Sequence, residues 1–409
     1  MTADPVPTSA PVETPAQPPR LSYWAVFRRF LRFGLTAFGG PVAQIAMLRR
    51  ELVDEEKWIG SVEFNRLLAV MQLLPGPEAH ELCVHLGIRA KGRIGGLLAG
   101  LGFMLPGLIL MLGLAWLYTK VDVGGPLLGA LFLGVQAAVL AVIVRAVHRI
   151  GEHILLDPWL WATAVATAVA SALEVSFWIL LPAAGAGYAL ASARRYSWLA
   201  VTLAAACAIV ALIGSMTGQD STQGNEALRS ARPDTLALFW AGLKAGLLTF
   251  GGAYAAIPFI RNDTVERGWI TDAQFLDGLA LSGILPAPLI IFATFVGWQS
   301  GGPAGALAMT AGIFLPAFAF SLLFFERLEA LADHRGLQQF LAGTAAAVVG
   351  LIAVTLFDLM RTASMRTPDL GVTMLIFASA LGLLYAWKSK LATPLALALG
   401  AAIGAIVLA

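Results

Sequence analysis

Residues 74–87 read LPGPEAHELCVHLG, an unusual grouping of carboxylates, imidazoles and prolines in a chain that is 58% hydrophobic. On a helix begun at Pro77, Glu78, Glu81 and His85 fall three and four residues apart along one face, while His80 points elsewhere. The string HELCVH resembles the zinc-protease pattern HExxH, but its histidines are five residues apart, and that pattern requires four. Zinc hydrolysis is therefore excluded. A looser metal site from Glu78, Glu81, Cys83 and His85 is a weak alternative, and a helix end bathed in cytoplasmic water is the plain one. The sharper reading makes Glu78 the proton-coupling residue, taking and releasing a proton as an anion binds beside it, with Glu81 as a solvated neighbour.

The elements that carry these residues belong in a bilayer. Charged residues make up 13% of the 409, against roughly 25% in an average soluble domain. Apolar runs long enough to cross a membrane as helices recur, for instance at residues 94–118, 126–144, 337–357 and 391–408. Alternating ten-residue segments are absent, so the expected fold is an all-α polytopic membrane protein. Residues 1–22 read as a disordered proline-rich tail without the apolar core of a signal peptide. Cys83 and Cys207 lie far apart in apolar segments and read as free thiols. A net charge of +2 gives no reason to expect nucleic acid. No GxxxxGK[ST] loop is present for ATP, and nothing suggests a cofactor or an enzyme. A homodimer stays open as an assembly.

The chain is duplicated. Phe38-Gly39-Gly40 recurs as Phe250-Gly251-Gly252, Trp58 as Trp269, Phe64 as Phe275, Pro75-Gly76-Pro77 as Pro286-Ala287-Pro288, and Gly87, Gly92 and Gly95 as Gly297, Gly302 and Gly305, the displacement drifting from 212 to 210 residues. Gly, Pro, Trp and Phe in fixed order carry the match, which chance similarity between apolar segments would not produce. Arg89, Lys91 and Arg93 follow the first PGP segment and have no counterparts at 299–304, whereas Arg327 and Arg335 mark a later loop whose first-half equivalent holds Lys120. Basic residues favour cytoplasmic loops, so the reversal implies inverted repeats with a cytoplasmic N-terminus. The boundaries are 23–213 for the first repeat, including an extra helix at 198–213, 214–234 for a linker and 235–409 for the second repeat.

Inverted repeats with helices broken at FGG and at PGP or PAP suit a secondary transporter, whose half-helix ends meet near mid-membrane. Glycine allows the break, proline suits a new first turn, and the freed N–H groups attract anions. The expected substrate-binding residues are Phe38, Gly39, Gly40, Pro75, Gly76, Pro77, Gly251, Gly252, Pro286 and Pro288 at the breaks themselves. Beside them, Gln44, Gln72, Thr249 and Tyr254 are neutral donors, and Arg32 and Lys244 are a matched pair of cations. Packing notches and interfacial snorkelling are the plain readings of the glycines and the cations.

These blocks also resemble the chromate ion transporter family in its long, two-domain form: FGGP at 38–41, the spacing of Trp58 and Phe64, PGPEA at 75–79, FGGAYAAIPFI at 250–260, GWIT at 268–271 and LPAPLIIFATFVGW at 285–298. The resemblance runs from about Tyr23 onward and implies a multi-pass protein of the bacterial inner membrane that exports chromate and confers resistance. Gln44 stands where the family's pattern has His, His80-Glu81 where Gln-Gln is usual, and Leu289 where the first half has Glu78. Sulfate or another oxyanion is the nearest rival substrate, and a passive anion channel is the rival mechanism.

Overall fold

The computed structural model describes residues 18–72, 74–121, 125–195, 202, 233–250, 252–324, 334–387, 389 and 391–408. Among these residues every regular element is helical and none is a strand. The described chain is all-α, as the hydropathy pattern requires of a backbone without water.

Helix α1, Tyr23–Thr36, starts at Ser22, whose hydroxyl accepts the Ala25 amide at 3.2 Å, and buries Val26, Phe30 and Phe33. It stops where Gly39 and Gly40 take φ of 90° and 77°, in the left-handed region that side chains rarely tolerate. Helix α2, Gly40–Arg49, restarts there with Pro41 in its first turn, and a π-helical turn, Arg50–Glu55, extends it. The chain has reversed by this point, because Arg29 of α1 donates to Glu51 at 2.9 Å and also holds Glu56. The glycine pair is therefore the tip of a hairpin, not a kink in a crossing helix.

A second hairpin follows. Helix α3, Ser61–Met71, leads to the PGP turn, where Gly76 has φ of 145°, and α4, Glu78–Tyr118, begins at Pro77. The first arm of α4 returns beside α3, since Arg89 pairs with Glu63. Lys91 and Gly92 then leave helical geometry, Gly92 at φ of 68°, and the chain turns back on itself with Gly87 packed on Gly95 and Val84 on Gly100. Residues 93–118 form the long second arm, about 39 Å at 1.5 Å per residue, enough to cross a bilayer.

The second half repeats this plan after α5, Pro126–Ile154, α6, Pro158–Ala172, and α7, Phe177–Ser192. Helices α8, Thr235–Leu247, and α9, Ala256–Thr264, flank the second glycine pair, where Gly252 has φ of 115°. Helix α10, Asp272–Ile284, runs into the PAP turn and a short 3-10 turn, Leu289–Ile291, before α11, Phe292–Phe324. Helix α11 reverses at Gly301 and Gly302 as α4 does at Lys91 and Gly92, with Gly297 packed on Gly305. Helices α12, Arg335–Arg366, α13, Leu370–Ala386, and α14, Ala392–Val407, complete the bundle. Among the described residues four helical stretches are long and apolar enough to cross a membrane, Glu78–Tyr118, Pro126–Ile154, Leu289–Leu323 and Arg335–Arg366, the first and third by the arm that follows their hairpin turn.

The halves point in opposite directions. The far end of the long α4 arm meets the second half's hairpin: Tyr118 donates to Asp277 of α10 at 2.7 Å, and its ring lies edge-on to Phe295 of α11, centroids 5.0 Å apart. Arg89 and Glu63 lie at the other end of that arm. The repeats are inverted. Small residues let the helices approach, as where Gly134 of α5 meets Gly400 and Gly404 of α14. The expected extra helix at 198–213, apart from Thr202, and nearly all of the linker at 214–234 lie outside the described residues.

Candidate functional site

The breaks of the two halves meet and are tied together twice. The Gly76 amide of the PGP turn donates to the Thr249 carbonyl of the second glycine break at 2.9 Å. By the repeat register, Ala287 and Ala37 are the counterparts of that pair, and there the side-chain amide of Gln44 donates to both carbonyls, at 2.9 Å each. Two carbonyls facing one another need a donor between them, and the –NH2 of a buried Gln supplies two. Gln44 is thus a brace across the halves.

Beside this junction opens a cavity of about 1680 Å³. Its floor is made by Phe38, Gly39, Gly40 and Gln72 of the first half, Phe250, Gly252 and Tyr254 of the second, and Glu78 at the start of α4. Arg32 of α1 lines one wall. An ideal Cβ on Gly252 would lie 3.9 Å from Oε1 of Glu78, so the carboxylate and the bare glycine backbone share one space.

The other expected residues lie elsewhere. Pro75, Gly76, Pro77, Pro286 and Pro288 are buried in the tied junction and do not line the cavity; they shape its floor from behind. Thr249 donates its hydroxyl to its own helix, to the Ala245 carbonyl at 2.6 Å. Lys244 is ion-paired to Asp263 at a smaller, separate cavity. Gly251 lies outside the described residues. Glu81, expected in solvent, is 0% exposed, and neither of its oxygens has a hydrogen-bond partner among the described residues. The reason is the hairpin: the first arm of α4 runs inside the bundle, so Glu81 lies under Gly76, where an added Cβ would come within 2.5 Å of Oε1. His80 is enclosed by rings, 5.0 Å from Phe314 and 4.6 Å from Phe318 between centroids. Among the described residues no three His, Cys, Asp or Glu side chains come together as metal ligands.

Sequence reasoning missed a basic face on α5. Arg145, Arg149 and His153, spaced four residues apart, all line the cavity, as does His148. The signal is legible in RAVHRIGEH, but hydropathy ends the apolar run at Val144, and the basic residues beyond it lie away from the duplicated breaks. The guanidinium of Arg145 lies 5.0 Å from the Tyr385 ring centroid, and Tyr385 shares a 2.7 Å hydrogen bond with His148. Neither Arg32 nor Arg149 has an ion pair among the described residues.

The carboxylates on the same walls are mostly engaged. Glu51 is held by Arg29, Glu152 faces His148 at 3.6 Å, and Asp157 caps α6 while accepting from Tyr188 at 2.6 Å. Four arginines, 32, 50, 145 and 149, line the cavity together with Glu51, Glu78, Glu152 and Asp157; Arg32, Arg145 and Arg149 make no ion pair among the described residues, and Glu78 is the carboxylate of the floor. Such a chamber has room for an anion among planar donor forks and bare backbone, with the Glu78 carboxylate on the same floor.

A family model described as "Chromate transporter" matches residues 24–191 and 236–405, one match to each half. A "Chromate transport protein" of Pseudomonas aeruginosa is 63% identical over 379 residues, covering 92% of this chain and 91% of that protein. One of the same description from Cupriavidus metallidurans is 30% identical over 92% of this chain and 91% of its own length. A "Probable chromate transport protein" of Synechococcus elongatus is 28% identical over 95% and 96%. No solved structure matches the chain.

Proposed function

This chain belongs to the chromate transporter family, and from that premise we propose that it is a secondary transporter exporting chromate across the bacterial inner membrane, conferring chromate resistance. The observation that carries the reading is the large arginine-lined cavity, which ends at the glycine breaks of both halves and opens at one end of the bundle. Arg50, Glu51, Glu152 and Asp157 line its outer part, on the end where Arg29 holds Glu51 and Arg89 pairs with Glu63. That end also carries Lys91, whose ammonium lies 5.5 Å from the Tyr23 ring centroid at the start of α1. Basic residues favour the cytoplasmic side, so the cavity is read as inward-facing and the N-terminus as cytoplasmic. Arg32, Arg145 and Arg149, which make no ion pair among the described residues, give an anion entering from the cytoplasm its partners on the way to the floor, in keeping with outward transport.

In this reading Arg32, Arg145 and Arg149 bring a tetrahedral dianion down to the floor, and the backbone around Gly40 and Gly252 approaches its oxygens. Gln72 and Tyr254 add neutral donors. An ionised Glu78 repels the dianion, so proton binding at Glu78 and anion binding on the floor favour one another by linkage. Sulfate has the same charge and shape as chromate and is the rival substrate. Uptake into proteoliposomes, with pH gradient, membrane potential and counter-anion varied separately, tests the whole reading. Gradient-driven uphill accumulation of chromate, competed weakly by sulfate, is the expected outcome. Downhill flux alone indicates a channel, and stronger competition by sulfate makes sulfate the substrate.

A further inference from the structure

Lys244 and Asp263 occupy, in the inverted half, the register positions of Arg32 and Glu51. The two matched pairs are in opposite states. On the open side Arg32 faces the cavity without an ion pair among the described residues, and Glu51 is drawn off to Arg29 at 2.9 Å. On the closed side Lys244 is ion-paired with Asp263, whose side chain is 4% exposed and which Arg267 also approaches at 3.5 Å. Two rings cover the ammonium, Phe177 at 4.9 Å and Trp178 at 5.9 Å from their centroids. What remains of open space there is a cavity of about 340 Å³, a fraction of its counterpart.

We propose that Lys244 is the oxyanion site of the outward-facing state, occupied in this inward-open form by Asp263 as an internal anion. The inference rests on the transporter reading above. An ammonium covered by two rings and 17% exposed favours an anionic partner in either state, and breaking its pair with the buried Asp263 without a replacement is costly. A tetrahedral oxyanion arriving from the floor offers that replacement, so Asp263 is displaced as the outer face opens, and it closes the site again when the anion leaves. Inverted repeats supply the geometry, since each half takes in turn the conformation its partner has here.

The test reads conformation before any substrate is added. Cysteines are placed singly at Ala241, on the small outer cavity, and at Thr393, on the wall of the large one, with the parent protein as the background for its own thiols. Removing the internal anion by Asp263→Asn should speed labelling of Ala241→Cys by an impermeant maleimide from outside about tenfold, as a minor state becomes well populated. Labelling of Thr393→Cys from inside should slow. Asp263→Glu, which keeps the pair, should behave as the parent protein does. Lys244→Gln removes the pair from the other side and serves if Asp263→Asn does not reach the membrane; it should show the same reciprocal change. Unchanged labelling in either pair-breaking variant that reaches the membrane overturns the proposal. Protection of Thr393→Cys by chromate in the otherwise parent protein reports the transporter reading separately. Lost protection with reciprocal labelling would sink the substrate and keep the gate, and intact protection with unchanged labelling would do the reverse.

Discussion

Glu78 and Glu81 are three residues apart on one arm, yet one faces the cavity and the other is sealed beneath Gly76. Replacing Glu78 with Gln keeps the shape and removes the titration. Chromate binding to the purified protein should survive or tighten, and uphill transport should lose its pH dependence; an unchanged pH profile would reduce Glu78 to a favourable charge at a helix start, worth a few tenths to about 1 kcal/mol. Arg149→Gln should weaken chromate binding, measured by calorimetry, by about tenfold, since an unpaired arginine fork facing an anion is lost. Gln44→Leu leaves the Ala37 and Ala287 carbonyls without their shared donor. Each buried orphan costs about 1–3 kcal/mol, so a marked drop in thermal stability is expected in detergent, and a melting point unchanged from the parent would remove the brace. At this scale the sequence singles out Glu78, Arg32 and Tyr254, which line the cavity, because they stand beside recognisable breaks. It misplaces Glu81, because burial depends on which arm the chain follows inward, and it passes over Arg149, because a basic face inside a mainly apolar helix has no repeat to advertise it.

The helical elements were legible from hydropathy and the breaks from glycine and proline, but the direction of the chain after each break was not. Composition counts apolar residues without saying whether a helix continues across the bilayer or returns. Only contacts such as Arg29 with Glu51, or Gly87 with Gly95, show the return. The glycines at the breaks separate into two kinds, and this difference can be tested. An added Cβ at Gly40 meets no atom within 4 Å, yet φ is 77°, so Gly40→Ala bears only backbone strain, of the order of 1–2 kcal/mol. It should insert and retain partial transport, whereas Gly40→Leu fills the cavity floor and should abolish transport while still reaching the membrane. Gly252→Leu should match it. Full activity in Gly40→Leu would make the break a matter of packing alone.

For the whole molecule, duplication and inversion were both readable, the first from Gly, Pro and aromatic register, the second from loop charge. Cysteines introduced at Arg93 and Gly301, at the two α-hairpin turns, should be labelled from opposite sides of the membrane, and same-side labelling would overturn the inverted arrangement. What no single sequence shows is that the halves are caught in different states. The floor adds a consequence of its own, because it carries Glu78 from the first half, whose counterpart Leu289 has no carboxylate and lies off the cavity. One carboxylate can take up one proton. On the proposed coupling, a dianion that leaves with one proton still removes a single negative charge from the cell, which makes an electrogenic cycle the expected outcome. In such a cycle the inside-negative membrane potential would drive export with about 2.3 kcal/mol per 100 mV, while the proton gradient would oppose it. Glu78→Gln should move the bare dianion with two charges per turnover, and the dependence of transport on an imposed potassium diffusion potential should steepen about twofold.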